Sequence, residues 1–201
     1  MVGVSFNVLV VCSGNLCRSP IAEQLLRART AGHPVIVSSA GTVADDGAPM
    51  PEEAAMVSRR YGGEPSGHRS QLLTESHLRS ADLVLTATRA HRGSVVQMLP
   101  RMSRKAFTIS EFARLLGAVP EAERATLADT ASVVDAARSL RGFVSPPDEP
   151  EHDDLEDPYR QPFEVYEAVG ARLDAEIGII ASGLWPSEAT LRAPDVRGAR
   201  Q

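Results

Sequence analysis

The sequence predicts an α/β protein built on a mostly parallel sheet. Two observations carry this. Short, β-branched apolar runs without polar alternation recur at 7–11, 34–38, 81–86 and 106–109, as expected of strands buried on both faces. Stretches of helical character alternate with them along the chain. With 201 residues, 43% of them hydrophobic, there is material for a real core, and disorder throughout is excluded.

The elements follow in order. Asn7-Val-Leu-Val-Val11 has no basic segment ahead of it and no small-residue cleavage site, so it reads as a first strand and not as a secretion signal. Cys12-Ser-Gly-Asn-Leu-Cys-Arg-Ser19 is a loop. A helix follows, with Ser19 as N-cap, Pro20 as first helical residue, and Ile21, Leu25 and Leu26 along one face. Pro34 to Ser38 is a second strand, ended by Ser39-Ala-Gly-Thr42. A loop bearing Pro and Gly leads into a helix from Glu52 to Tyr61, stopped by Gly62-Gly63. Ala81 to Thr86 is a third strand, Arg89 to Leu99 a helix, and Ala106 to Ile109 a fourth strand.

From Gly117 to Pro150 the sequence turns alanine-rich and poor in large apolar residues, which predicts a helical insertion or surface excursion outside the core. An acidic run, Glu151 to Asp157, then precedes Pro158-Tyr159. Phe163, Tyr166, Val169, Leu173, Ile177 and Ile180 sit at helical spacing and mark a last packed helix over 162–184. The end, 186–201, has too few large apolar groups to fold alone and is expected to be a flexible tail, leaving one domain over 1–185.

Composition narrows the function classes. The formal charge is -5, with 20 arginines and the single Lys105 against 26 acids, which argues against nucleic-acid and membrane-surface binding. No apolar run reaches the roughly 18 residues of a membrane span. Cys12 and Cys17 are too close in sequence to staple a fold, so a reducing, cytoplasmic compartment is expected and the cysteines matter for reactivity. There is no second cysteine pair, and His33, His68, His77, His91 and His152 show no ligand spacing, so no metal and no cofactor are expected.

The chemistry lies in the loop after the first strand. A loop of this length can wrap so that successive backbone N–H groups from Ser13, Gly14, Asn15, Leu16, Cys17 and Arg18 point inward, adding to the positive end of the following helix. Such a nest binds a dianion. Cys12 at its start sits where the field favours thiolate, and Arg18 at its end can hold two phosphate oxygens in a planar fork. Gly14 permits close backbone approach, and Asn15 tolerates the left-handed region while its side chain braces the loop. Ser19 can donate a hydrogen bond to the Cys12 sulfur. Cys17 is either a packed small residue or the partner of an oxidised Cys12 in a protective disulfide.

With these residues the sequence resembles the low-molecular-weight protein tyrosine phosphatases. The match runs through Val10-Val-Cys-Ser-Gly-Asn-Leu-Cys-Arg-Ser-Pro-Ile-Ala-Glu23. It continues in Ser39-Ala-Gly-Thr42, His68-Arg-Ser, Ala81-Asp-Leu-Val-Leu85, Glu156-Asp-Pro-Tyr159 and Phe163-Glu-Val-Tyr166, leaving out 117–150 and the tail. The resemblance implies a four-stranded parallel sheet flanked by helices in three layers, with the phosphate loop after the first strand. It also implies a general acid, the Asp of an Asp-Pro-aromatic motif, here Asp157. Cys12 would attack phosphorus in line while Asp157, its pKa raised by nearby carboxylates and the incoming phosphate, protonates the phenolate. Asp157 would then activate water against the phosphocysteine, with Arg18 and the loop amides stabilising both transition states.

By the same resemblance Ser39 and His68 hydrogen-bond around Asn15, and Tyr159 lines the substrate slot. Where many family members carry a Met-Asp pair after the third strand, this chain has Ala87-Thr88. The implied partners are a phosphotyrosine protein and a cognate tyrosine kinase, and the arginine-rich composition suggests a bacterial member. Two rivals stand beside this reading: a thiol-dependent arsenate reductase on the same fold, and a phosphotyrosine-binding module without catalysis.

Overall fold

The computed structural model describes residues 5–185. Strand β1 (Phe6–Cys12) pairs in parallel with β2 (Val35–Gly41) on one side and β3 (Leu83–Thr86) on the other, and β4 (Ala106–Thr108) lies beyond β3. The order β2-β1-β3-β4 makes β1 the strand from which the chain winds outward in both directions. The crevice at the carboxyl end of such a strand is where open α/β sheets bind ligands.

The absence of polar alternation in β1 reflects two covered faces. Val8 and Val10 face a large cluster with Leu83, Leu85 and Phe107. On that side lie α1 (Arg18–Arg29), α2 (Glu52–Arg60), α5 (Ile109–Ala118), α7 (Thr130–Ser139) and α8 (Phe163–Leu184). Leu9 and Val11 face a smaller cluster on the other side, against Leu78 of α3 (Glu75–Ser80), Val95 of α4 (Arg89–Met98) and Met102 of the 3-10 turn Pro100–Arg104. The molecule is therefore three-layered, with the sheet in the middle. Among the described residues no helix is long and apolar enough to cross a membrane.

Several boundaries differ from the expectation. β2 runs on to Gly41, because Ser39, Ala40 and Gly41 pair with Val10, Val11 and Cys12 and the Ser39 hydroxyl is satisfied by neighbouring side chains. The N-cap position of α1 is Cys17 and not Ser19, whose hydroxyl is engaged inside the loop. Two helices were not anticipated. α3 is only six residues long, too short to show a period, and is fixed by a capping box between Thr74 and His77. α5 starts where the fourth strand ends: Thr108 caps it by accepting from the Glu111 N–H, and Phe112, Leu115 and Leu116 are buried.

The segment 117–150 is also more than decoration. α6 (Glu121–Arg124) has no buried residue, but α7 places Val133, Val134 and Ala137 in the main cluster. Small side chains suffice there because helix meets helix at close range. The expected tail, 186–201, lies outside the described residues.

Candidate active site

The loop joining β1 to α1 closes around one amide side chain. Asn15 has a φ of 53°, the left-handed conformation that asparagine tolerates, and it is fully buried. Its Nδ2 donates to Ser19 Oγ at 2.9 Å and to Ser39 Oγ at 2.8 Å. Both hydroxyls accept, so each turns its own proton outward. Ser39 donates to Glu23 Oε2 at 2.5 Å, and Ser19 faces the Cys12 sulfur at 2.9 Å. Both oxygens of Asn15 are filled as well: Oδ1 accepts from the Gln71 N–H at 3.0 Å and the backbone carbonyl from His68 Nε2 at 2.8 Å. A buried polar network whose side-chain groups are paired in this way is rigid.

Gly41 explains why the loop can sit so low on the sheet. A Cβ there would lie 2.3 Å from the Ser13 carbonyl and 2.8 Å from the Asn15 N–H. Only glycine admits that approach.

Above the loop, Cys12, Ser13, Gly14, Leu16, Cys17 and Arg18 line a pocket of about 200 Å³, with Val43, Asp157 and Tyr159 at its mouth. Arg18 is buried and reaches across it, donating from Nη1 to the Leu155 carbonyl at 3.2 Å and from Nη2 to Asp157 Oδ2 at 2.5 Å. Its Nε is buried with no hydrogen-bond partner among the described residues. Burial, then the neighbouring Cys12, push the Cys17 thiol up to about 12. Cys17 therefore stays protonated at neutral pH. Both cysteines are free.

The acidic run ahead of Asp157 is not a solvated face. Arg89 of α4 binds the Asp154 carboxylate through Nε and Nη2, and Arg114 of α5 binds Asp153 through both terminal nitrogens. Arg172 of α8 donates to the carbonyls of His152 and Asp154, and the Leu155 N–H donates to the Ala87 carbonyl at 2.8 Å. Beyond this clamp the chain turns at Arg160, whose φ is 62°, and the Arg160 N–H donates to the Tyr166 hydroxyl at 3.2 Å. Asp157 stands between the two anchors with its side chain 51% exposed, enough freedom to leave Arg18.

The structure thus gathers Cys12, Arg18 and Asp157 at one pocket, with Tyr159 at its mouth and Ser19, Ser39 and His68 beneath the loop. Glu23, Gln71 and His91 also touch this assembly and were not anticipated as site residues. For His91 a signal existed: Thr88 three residues ahead is a capping pattern that fixes the start of α4, and His91 with it.

A family model described as low molecular weight phosphotyrosine protein phosphatase matches residues 7–129, which include the whole loop. The chain belongs to this family. Among its phosphatase relatives, a protein-arginine-phosphatase of Geobacillus stearothermophilus is 37% identical over 107 residues, 53% of this chain and 71% of the relative. The low molecular weight protein-tyrosine-phosphatase Etp of Escherichia coli is 37% identical over 113 residues, 56% of this chain and 75% of the relative. The crystal structure of the low molecular weight protein tyrosine phosphatase from T. tengcongensis superposes with a TM-score of 0.66 at 33% identity, covering 90% of this chain and 100% of that one. The phosphatase loop lies within the family match, whereas Asp157 lies beyond it.

Proposed function

We propose that this chain is a protein tyrosine phosphatase that hydrolyses phosphotyrosine through a phosphocysteine on Cys12. The observation that carries the reading is the Nε of Arg18, a charged donor that is buried and without a partner among the described residues, on a side chain that lines the pocket together with Cys12 and the loop residues after it. A buried donor without a partner is costly unless an anion arrives to accept from it.

The steps follow from the contacts. A phosphate dianion entering the loop competes with Asp157 for Arg18, and the half-exposed carboxyl swings toward the ester oxygen. Cys12 attacks phosphorus in line, its sulfur supported by the Ser19 hydroxyl, while Asp157 gives the leaving phenolate its proton. Asp157, now a base, removes a proton from water as it attacks the phosphocysteine, releasing phosphate and restoring the thiolate. Arg18 and the amides from Ser13 to Arg18 balance the charge on the transferring group in both steps.

Leu16, Val43 and Tyr159 make the pocket wall apolar, which suits an aryl ring. Apart from Asp157, this wall meets a phosphoguanidinium's N–H donors with no carboxylate, so phosphoarginine is the second reading, kept open by the relative named for it. The natural setting we infer is the cytoplasm of a bacterium, opposite a tyrosine kinase. Steady-state hydrolysis of phosphotyrosine peptide, phosphoarginine peptide and phosphoserine peptide, with arsenate reduction by added thiol alongside, ranks these. Turnover is expected to be highest on phosphotyrosine and to vanish in Cys12→Ser; near-normal turnover in that variant overturns the mechanism.

A further inference from the structure

A second side-chain chain reaches the phosphate loop from the side opposite Asn15. Ser13 Oγ lies 2.8 Å from His91 Nε2 and 3.4 Å from Arg18 Nη2. Arginine only donates, so Ser13 accepts from Arg18 and its own proton is free to go to His91. That requires a neutral imidazole with its hydrogen on Nδ1, where Thr88 Oγ1 waits at 2.7 Å. Burial, then the charge of Arg18, hold the His91 pKa down to about 4, which keeps the ring neutral at working pH. Thr88 Oγ1 also accepts from the His91 backbone N–H at 3.3 Å, so the ring and its brace are locked to the first turn of α4.

The consequence concerns Arg18. Among the described residues its Nη2 has two side-chain acceptors, Asp157 Oδ2 and Ser13 Oγ. When Asp157 leaves to act on the ester oxygen, Ser13 is the one that stays. We propose that His91, braced by Thr88, is a positioning residue for phosphate recognition: it orients Ser13 so that the Ser13 oxygen keeps Arg18 Nη2 aimed at the phosphate after Asp157 has left. This rests on the phosphatase reading of the loop.

The test is a double-mutant cycle read in the inhibition constant of inorganic phosphate against p-nitrophenyl phosphate turnover. His91→Phe and Ser13→Ala are each expected to weaken phosphate by about five- to tenfold, the worth of one ordinary hydrogen bond. The double variant is expected to lose no more than the worse single one, because both remove the same contact. KM is expected to rise with the inhibition constant, while the dependence of kcat on leaving-group pKa, which reports on Asp157, stays as in the wild type. Additive penalties, or a steeper leaving-group dependence in His91→Phe, overturn the proposal. If His91→Phe does not fold, His91→Asn, too short to reach Ser13, carries the same cycle. A wild-type protein that neither turns over the ester nor binds phosphate sinks the phosphatase reading instead.

Discussion

Two cysteines five positions apart experience different fields within one loop. Cys12 ends a strand and has a hydroxyl aimed at its sulfur, whereas burial, then the neighbouring Cys12, push the Cys17 thiol up to about 12. Thiolate is the reactive form, so Cys17 is expected to stay unlabelled by iodoacetamide at neutral pH in the folded protein. Peptide mapping by mass spectrometry checks this, and labelling of Cys17 as fast as a free thiol counts against it. Oxidation changes the balance: peroxide converts the Cys12 thiolate to a sulfenic acid, and the negative charge that helps keep Cys17 protonated is gone. Condensation of the two then forms a disulfide and releases water. Peroxide inactivation is expected to be reversible by added thiol in the wild type and far less so in Cys17→Ala; equal recovery in both refutes the guard role. Cys12 and Arg18 were legible because both lie in one loop between a strand and a helix, at a spacing the sequence displays. Glu23, Gln71 and His91 were not: Gln71 and His91 reach the loop from other elements and Glu23 acts on it through Ser39, all by hydrogen bonds that no spacing announces.

At the scale of elements, the catalytic geometry depends on where strand ends and loop clamps are set. Gly41 closes β2 directly beneath the loop, and an added methyl group would press on Ser13 and Asn15 backbone atoms, which cannot yield without moving the nest. Gly41→Ala is therefore expected to cut kcat/KM for an aryl phosphate by at least about a hundredfold, consistent with small displacements of a positioned site. Activity within a few fold of wild type would show that the loop relaxes freely. The acid-bearing segment depends on the other clamp. Arg114→Met leaves the Asp153 carboxylate without its fork, costing about 1–3 kcal/mol of stability and loosening the base on which Asp157 swings. Turnover is expected to fall more for esters of poor leaving groups than for p-nitrophenyl phosphate, since only the former depend strongly on the acid. A uniform loss across leaving groups argues that the clamp serves stability alone. In the sequence this clamp is visible only as an acidic run, because the arginines that fold onto it come from three separate helices.

For the molecule as a whole, the parallel sheet and the phosphate loop were readable from buried strand runs and a strand-loop-helix junction. The extent of the core was not. Alanine-rich sequence between 117 and 150 signals little apolar mass, and mass is what a sequence scan weighs; closeness of approach, which lets small residues complete a core, appears only once helices are packed. Val133, Val134 and Ala137 of α7 join the cluster that holds α5 and α8, while Arg114 and Asp153 tie together the chain on either side of the excursion. These two facts predict separable effects. We propose that the excursion contributes to global stability and leaves the phosphate site to its own anchors. Truncating both valines, Val133→Ala with Val134→Ala, removes four buried methyl groups and is expected to cost about 2–4 kcal/mol. For a domain of this size that lowers Tm by about 4–16 °C. At a temperature where the variant is still folded, kcat and KM for p-nitrophenyl phosphate are expected to match the wild type, because none of the three α7 residues reaches the pocket. An unchanged Tm would mean that α7 merely rests on the surface. A KM that shifts in the folded variant would mean that the excursion bears on the acid loop, and that the Arg114–Asp153 tie does not isolate the site from it.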